Sequence, residues 1–191
     1  MELLLLRHSI TPGNLKRQYI GSTDQPLAPE GEELARKRRG EMPEIGGLWV
    51  SPMLRCRQTA ALLFPGVEQR QVPQLRECAF GRFEEKTWEE LKDDPLYRAW
   101  MGGDLTITFP GGENMQAFWS EAPGDRGRGP GGGGRRSGPG GRGGPRGTWL
   151  AVMSAFGRPE WELYRWQPEN CRGWRVEVRR EPLELRVLEA L

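Results

Sequence analysis

The sequence predicts a single α/β domain built on a mainly parallel sheet. Three observations carry that prediction. The chain has 191 residues, the size of one ordinary domain. Its opening run, Glu2–Leu6, is continuously apolar, as in a strand buried on both faces of a parallel sheet. Beyond it, short apolar strands alternate with helical stretches, and no internal repeat is visible.

The elements follow in order. Glu2–Leu6 ends in Arg7-His8-Ser9 and a Thr11-Pro12-Gly13-Asn14 turn. Pro29–Met42 predicts a helix: Pro29 suits its first turn, Glu30, Glu32 and Glu33 the positive dipole end, and Arg36–Arg39 the other end. Ala28 is a poor N-cap; Ser or Thr there would add roughly 1 kcal/mol. Gly47–Val50 predicts a short strand, after which Ser51 caps a helix to about Leu63 with Pro52 at its first position. Trp88–Met101 predicts a helix interrupted or restarted around Pro95. Phe109-Pro110-Gly111-Gly112-Glu113 reads as a turn opening a helix through Met115, Phe118 and Trp119. Thr148–Phe156 is apolar enough for a buried helix, ended by Gly157 and Pro159. Trp174–Arg179 alternates as a strand, with Pro182–Leu188 as its hairpin partner.

Composition narrows the functional classes. The apolar opening breaks at Arg7 and His8, too early for a signal h-region or a membrane span. Without a targeting signal, a reducing cytoplasm is the expected compartment. Cys56, Cys78 and Cys171 are odd in number and widely spaced, unlike a disulfide framework or a zinc knuckle. His8 is the one histidine, which excludes a multi-histidine metal site and any two-histidine mechanism for the sequence as written.

One segment stands apart. Residues 121–147 hold 13 of the chain's 27 Gly, together with 6 Arg and 4 Pro, and no Leu, Ile, Val, Phe, Met or Trp. Six arginines face two acids there, while the remainder carries 22 basic and 24 acidic residues, so the net +2 belongs to this segment. The main body has no charge bias toward a nucleic acid or a membrane.

The chemistry-bearing residues gather at predicted strand ends. Arg7 and His8 stand at the carboxyl end of the first strand, where α/β sheets place ligands. Arginine offers planar paired donors to an oxyanion, and histidine offers a nucleophilic or proton-carrying nitrogen. Thr11 and Asn14 follow on the turn, able to bond a phosphate or orient the ring. The second strand ends in Ser51-Pro52-Met53-Leu54-Arg55-Cys56-Arg57, so Arg55 or Arg57 can bring another guanidinium to the same edge.

These stretches resemble the motifs of the histidine phosphatase superfamily, which includes cofactor-dependent phosphoglycerate mutases. LLLLRHSITPGN is similar to the family's Arg-His-Gly-x-Thr-x-x-Asn signature, with Ser9 in place of its glycine. SPMLRCRQTA resembles the second motif, LRECAFGRFEE the third and FPGGEN the fourth, in that order over Met1–Phe118. YIGSTDQPLAPEG resembles the loop and helix after the first. The resemblance implies a three-layer α/β/α sandwich of phosphoglycerate mutase type. It implies that His8 is phosphorylated, that Arg7 and Arg55 bind phosphate with Thr11 and Asn14, and that Glu77 serves as general acid and base, with Glu84 as the rival carboxylate. A transferring phosphoryl group spreads charge over three oxygens, so preorganised donors contribute most of the catalysis. Guanidinium groups supply that neutralisation with no cofactor and no metal.

The implied function is hydrolysis of a small phosphate monoester. Short bacterial members include α-ribazole-phosphate phosphatases of cobalamin synthesis; mutases usually carry extra segments. The expected partner is a small phosphorylated metabolite, with a homodimer left open. Trp166, Asn170 and Cys171 are candidates for the mouth, core packing being the stronger reading of Trp166.

The family's fifth motif, an apolar strand followed by His-Gly-Gly and an apolar helix, is not met. Gly144-Pro145-Arg146-Gly147 precedes Thr148–Phe156, and no second histidine exists. Three accounts stay open. An RGG-like arm would bind RNA, although no aromatic residue for base stacking is interleaved. A degenerate family member would carry a disordered loop. A shifted reading frame in a GC-rich gene would give Gly, Arg and Pro; 24 Arg against 4 Lys suit such a gene. With codons CCA-CGG, Pro145-Arg146 read one base later yields histidine and the start of glycine.

Overall fold

The computed structural model describes residues 1–121 and 152–191 except 154 and 162, and gives no side chains for 119–121, 163 and 164. The anomalous segment beyond Glu121 and most of Thr148–Phe156 therefore lie outside the described residues.

The described elements are β1 (Glu2–Leu6), α1 (Pro12–Leu15), α2 (Pro29–Arg38), β2 (Leu48–Val50), α3 (Leu54–Leu63), β3 (Gln69–Gln71), α4 (Trp88–Leu91), α5 (Pro95–Met101), α6 (Met115–Glu121), β4 (Gly157–Arg158), β5 (Gly173–Arg180) and β6 (Leu183–Ala190). Most predicted elements appear, with shifted ends. α2 stops at Arg38 and tightens into a 3₁₀ turn over Arg39–Glu41; Ala28 makes no side-chain cap. α3 begins at Leu54, not Pro52: Ser51 accepts from the Met53 N–H at 3.4 Å, ahead of the helix, and the N-cap position falls to Met53, which makes no side-chain cap. The break near Pro95 is real, because Asp94 caps α5 by accepting from Leu96 and Tyr97. Val152, Met153, Ala155 and Phe156 are helical, which falls within the predicted buried helix.

The sheet corrects one expectation. Among the described residues the main sheet runs β1-β5-β6-β4, with β1–β5 and β5–β6 antiparallel and only β4–β6 parallel. It is mainly antiparallel, not mainly parallel; β2 and β3 form a separate parallel pair joined by α3. The physical reason is plain. An apolar run reports burial on two faces, not strand direction, and a hairpin as tight as β5–β6 must be antiparallel. β3, Gln-Arg-Gln, has no apolar signal and was legible only once paired.

β1 is packed on both faces, with its leucines half-buried. Leu3 and Leu5 pack with Met153, Trp166, Val176 and Leu185 on one face. Leu4 and Leu6 pack with Ala35 of α2, Leu63 of α3, and Cys171 on the other. Side chains thus cover the sheet on both faces, as in an α/β sandwich. A third core is aromatic. Trp100, wholly buried, is ringed by Phe109, Tyr19, Phe80, Tyr97 and Phe83 at centroid separations of 5.1 to 6.4 Å. Mostly tilted and edge-to-face rings of this kind stabilise beyond their buried area. This core lies beneath the segments that carry Tyr19–Thr23 and Glu77–Lys86, and so fixes their backbone.

Candidate active site

β1 delivers His8 one residue beyond the carboxyl-side Arg7. The Arg7 N–H donates to the Arg172 carbonyl at 2.9 Å and the Cys171 N–H to the His8 carbonyl at 3.2 Å, so the pairing with the β5 side continues past the strand end. The His8 Nδ1 lies 2.7 Å from the Ser9 carbonyl oxygen. A carbonyl only accepts, so Nδ1 carries the proton and neutral imidazole keeps its lone pair on Nε2. The Arg7 Nη1 donates to the Pro168 carbonyl at 2.9 Å.

Ser9, wholly buried, anchors this turn twice. Its N–H donates to Thr59 Oγ1 at 2.9 Å and its hydroxyl to the Gly31 carbonyl at 2.7 Å. Gly31 permits this because a Cβ there would sit 2.0 Å from the Ile10 carbonyl oxygen. The predicted Thr11–Asn14 turn is a short helix with a capping box: Thr11 Oγ1 accepts from the Asn14 N–H, and Asn14 Oδ1 from the Thr11 N–H. Thr11 is wholly buried, so the structure gives its hydroxyl the work of holding the turn. Asn14 Oδ1 also accepts from Asn170 Nδ2 at 3.1 Å, so the oxygen is engaged and the NH₂ remains a donor for an anion.

Arg55 stands in the first turn of α3 with 3% exposure. Its Nη1 donates to the Thr23 carbonyl at 3.0 Å and its Nη2 to the Gly21 carbonyl at 2.8 Å. Guanidinium has five N–H donors, and these bonds engage two of them. Arg57 instead turns back, its Nε donating to the Pro52 carbonyl at 3.1 Å. Arg55 is thus buried and fixed by the Gly21–Thr23 loop, while Arg57 is bonded to its own helix start.

The two carboxylates separate by environment. Glu77 Oε1 accepts from the Cys78 N–H at 3.0 Å. Glu84 is surrounded by donors: the N–H groups of Gly21, Ser22 and Phe80, each at 2.9 Å, the Thr23 hydroxyl at 2.9 Å and the Ser22 hydroxyl at 3.3 Å. A carboxylate so engaged is an acceptor fixed in place. Glu77 lies within electrostatic reach of α3: burial raises the Cys56 thiol pKa, Arg55 opposes that rise, and Glu77 adds to it. The Glu77 segment is itself clamped, since Arg76 donates to both oxygens of Glu113 at 2.7 and 2.5 Å and the Ala79 N–H donates to Glu113 at 2.8 Å. Those bonds, the Arg76 bond first, hold the Glu113 pKa below its ordinary value.

Hydrogen bonds link the His8 turn to Asn14 through Asn170 and to the Arg55 backbone through Thr59. Thr59 bridges the His8 turn and α3, accepting from Ser9 and donating to the Arg55 carbonyl at 2.7 Å. Sequence reading missed Thr59, although its spacing of four from Arg55 places both on one helix face. Asn170, half-buried, ties itself to the His8 turn, donating to the carbonyls of His8 and Ser9 at 3.1 and 3.3 Å. No local pattern signals that contact, which spans more than 160 residues. Trp166 is core, 1% exposed among Trp161 and Trp174, and Cys171 is buried in the core beside Leu63 and Phe64. An open groove lined by Arg158, Arg179, Glu184 and Arg186 lies at the opposite end of the sheet from His8. Arg158 there pairs with Glu184 and Glu160, and Arg179 with Glu177. Among the described residues no group of acidic, Cys and His side chains is arranged to hold a metal ion, and no helix is long and apolar enough to cross a membrane.

Residues 3–122 match the family described as histidine phosphatase superfamily (branch 1). The chain is 30% identical over 122 residues to the "Probable phosphoglycerate mutase GpmB" of Enterobacter sp. (strain 638), covering 61% of this chain and 57% of that protein. The match thus spans less than two thirds of the curated relative. Among solved structures, TTHB049 from Thermus thermophilus superposes with a TM-score of 0.70 at 29% identity, over 100% of this chain and 99% of that one. A structure described as phosphoglycerate mutase from the same organism gives 0.69 at 28%, over 100% and 98%. A candidate alpha-ribazole-5'-P phosphatase from Escherichia coli str. K-12 substr. MG1655 gives 0.57 at 27%, over 64% and 63%.

Proposed function

The chain belongs to the histidine phosphatase superfamily, and from that premise we propose that it hydrolyses a small phosphate monoester through a phosphohistidine at His8. The observation that carries the proposal is the bond from His8 Nδ1 to the Ser9 carbonyl, which leaves Nε2 as the nucleophilic nitrogen. In the first step Nε2 attacks phosphorus, the ester P–O bond breaks, and Glu77 protonates the departing oxygen. In the second, water loses a proton to the Glu77 carboxylate and attacks phosphorus, the P–N bond breaks, and orthophosphate leaves. Arg7, Arg55 and Asn14 hold the phosphoryl oxygens, and Thr11 holds the turn that presents Asn14. The chemistry of this donor set calls for no cofactor.

For the substrate we propose α-ribazole 5'-phosphate, supported by the likeness to the Escherichia coli structure. Phosphoglycerate mutase activity is the second reading, favoured by the names of the curated relatives and of one Thermus thermophilus structure. The written chain supplies no second histidine, so we propose that it turns over slowly.

The single histidine makes the test clean. Incubation with a ³²P-labelled monoester and rapid quenching should give an acid-labile, base-stable label that maps to His8 and vanishes in His8→Ala. Label retained in that variant would end the proposal. Release of orthophosphate, against transfer to a second hydroxyl of a phosphoglycerate, separates phosphatase from mutase.

A further inference from the structure

We propose that Glu84 is a positioning residue that acts on Arg55 through the Gly21–Thr23 loop; the inference rests on the reading of Arg55 as a phosphate ligand. Glu84 and Arg55 grip opposite edges of the same three residues. The Glu84 carboxylate accepts from the N–H groups of Gly21 and Ser22 and from the hydroxyls of Ser22 and Thr23. The carbonyls of Gly21 and Thr23 accept from the two terminal nitrogens of Arg55. The Gly21–Ser22 peptide has its N–H on Glu84 and its carbonyl on Arg55, so the carboxylate polarises that carbonyl and strengthens its hold on the cation; the Thr23 carbonyl is held through the Thr23 side chain, whose hydroxyl Glu84 fixes. The loop has little freedom to adapt. A Cβ on Gly21 would fall 2.0 Å from the Cys78 carbonyl oxygen, so the backbone of the Glu77 segment lies directly against it.

Glu84 also reaches that other segment, accepting from the Phe80 N–H at 2.9 Å. Neighbouring backbone bonds reinforce the clasp: the Tyr19 N–H donates to the Lys86 carbonyl and the Glu85 N–H to the Tyr19 carbonyl, both at 2.8 Å. One carboxylate thus ties the loop that orients Arg55 to the strand of chain that carries Glu77. The rival acid of the sequence motif is accounted for by this work: all its donors are loop and backbone groups that set spacing.

The test uses the full chain labelled with ¹⁵N-arginine. In the wild type both Arg55 Nη groups are hydrogen-bonded, so their signals are separate, assigned by their loss in Arg55→Lys. Glu84→Gln replaces an acceptor oxygen with an NH₂ group that faces N–H donors. The expected result is merging of the Arg55 Nη signals and about tenfold weaker binding of inorganic phosphate, the scale of one lost charge-assisted bond. In an Arg55→Ala background the same substitution should cost no further phosphate affinity. Thr23→Val, which removes one donor and keeps the carboxylate, should move both readouts the same way by less, and it decides the matter should Glu84→Gln not fold. Unchanged Nη signals in a folded variant, or an equal affinity loss in the Arg55→Ala background, would overturn the proposal. Merged signals in a chain whose wild type binds no phosphate would leave the positioning intact and defeat the phosphate-site reading instead.

Discussion

The Ser9 amide donates to the Thr59 hydroxyl at 2.9 Å, joining the turn after β1 to the first turns of α3 across 50 residues of sequence. Both groups are buried, so water cannot take either place. Thr59 therefore ties the residue after His8 to the backbone of Arg55.

Thr59→Val keeps the shape and removes the acceptor. A buried N–H left unsatisfied costs about 1–3 kcal/mol. Urea denaturation should show a loss of that size, and inorganic phosphate should bind more weakly as the two site segments lose register. Stability equal to wild type would mean that the Ser9 N–H finds another partner.

Glu77→Gln should slow monoester hydrolysis by roughly 100-fold or more while leaving phosphate binding within a few-fold, because proton transfer belongs to the transition state. Glu84→Gln should instead weaken phosphate binding. Steady-state kinetics beside equilibrium binding separates the two carboxylates; an unaltered rate in Glu77→Gln would return the acid role to another group.

Glu113→Gln tests the clamp on the Glu77 segment through pH. Arg76 and the Ala79 N–H hold the Glu113 pKa below its ordinary value. A carboxylate depressed in the folded state contributes stability that is present above its unfolded pKa, near 4.3, and lost as pH falls through the lower folded value. The Arg76–Glu113 pair is partly exposed, so the contribution is about 1 kcal/mol. Thermal melts should show wild type above Glu113→Gln at pH 7, with the gap closing below about pH 4. A gap independent of pH would assign the effect to shape alone.

Replacing residues 121–147 with an apolar strand ending His-Gly-Gly should raise the melting temperature and speed phosphate release by about 10²–10³, the scale of one restored preorganised donor. A central strand also buries several apolar side chains worth about 1.5–3 kcal/mol each, and the written segment holds none of the large apolar residues that would supply them. Equal melting and equal rates would show that the written sequence suffices. Nucleotide sequence across codons 119–148 gives the complementary answer.

By itself the sequence determined the order of most elements, the packing of β1 on two faces, the family, and His8 as the one histidine, because apolar runs, Pro and Gly punctuation and motif spacing are local patterns. Among the described residues it reached the wrong strand direction for two of the three pairings in the main sheet, since an apolar run is the same in either direction. Only the tertiary structure decided the pairing of β1 with β5, the capping box between Thr11 and Asn14, and the burial of Arg55 against the Gly21–Thr23 loop. It alone distinguished Glu84, bonded on all sides by the Gly21–Thr23 loop and Phe80, from Glu77. The contacts of Asn170 with the His8 turn belong to the same class. Each of these depends on groups far apart in the chain meeting in a dry interior, where an unpaired donor is costly. Which donor meets which acceptor is settled there by packing, and no local pattern of residues encodes it.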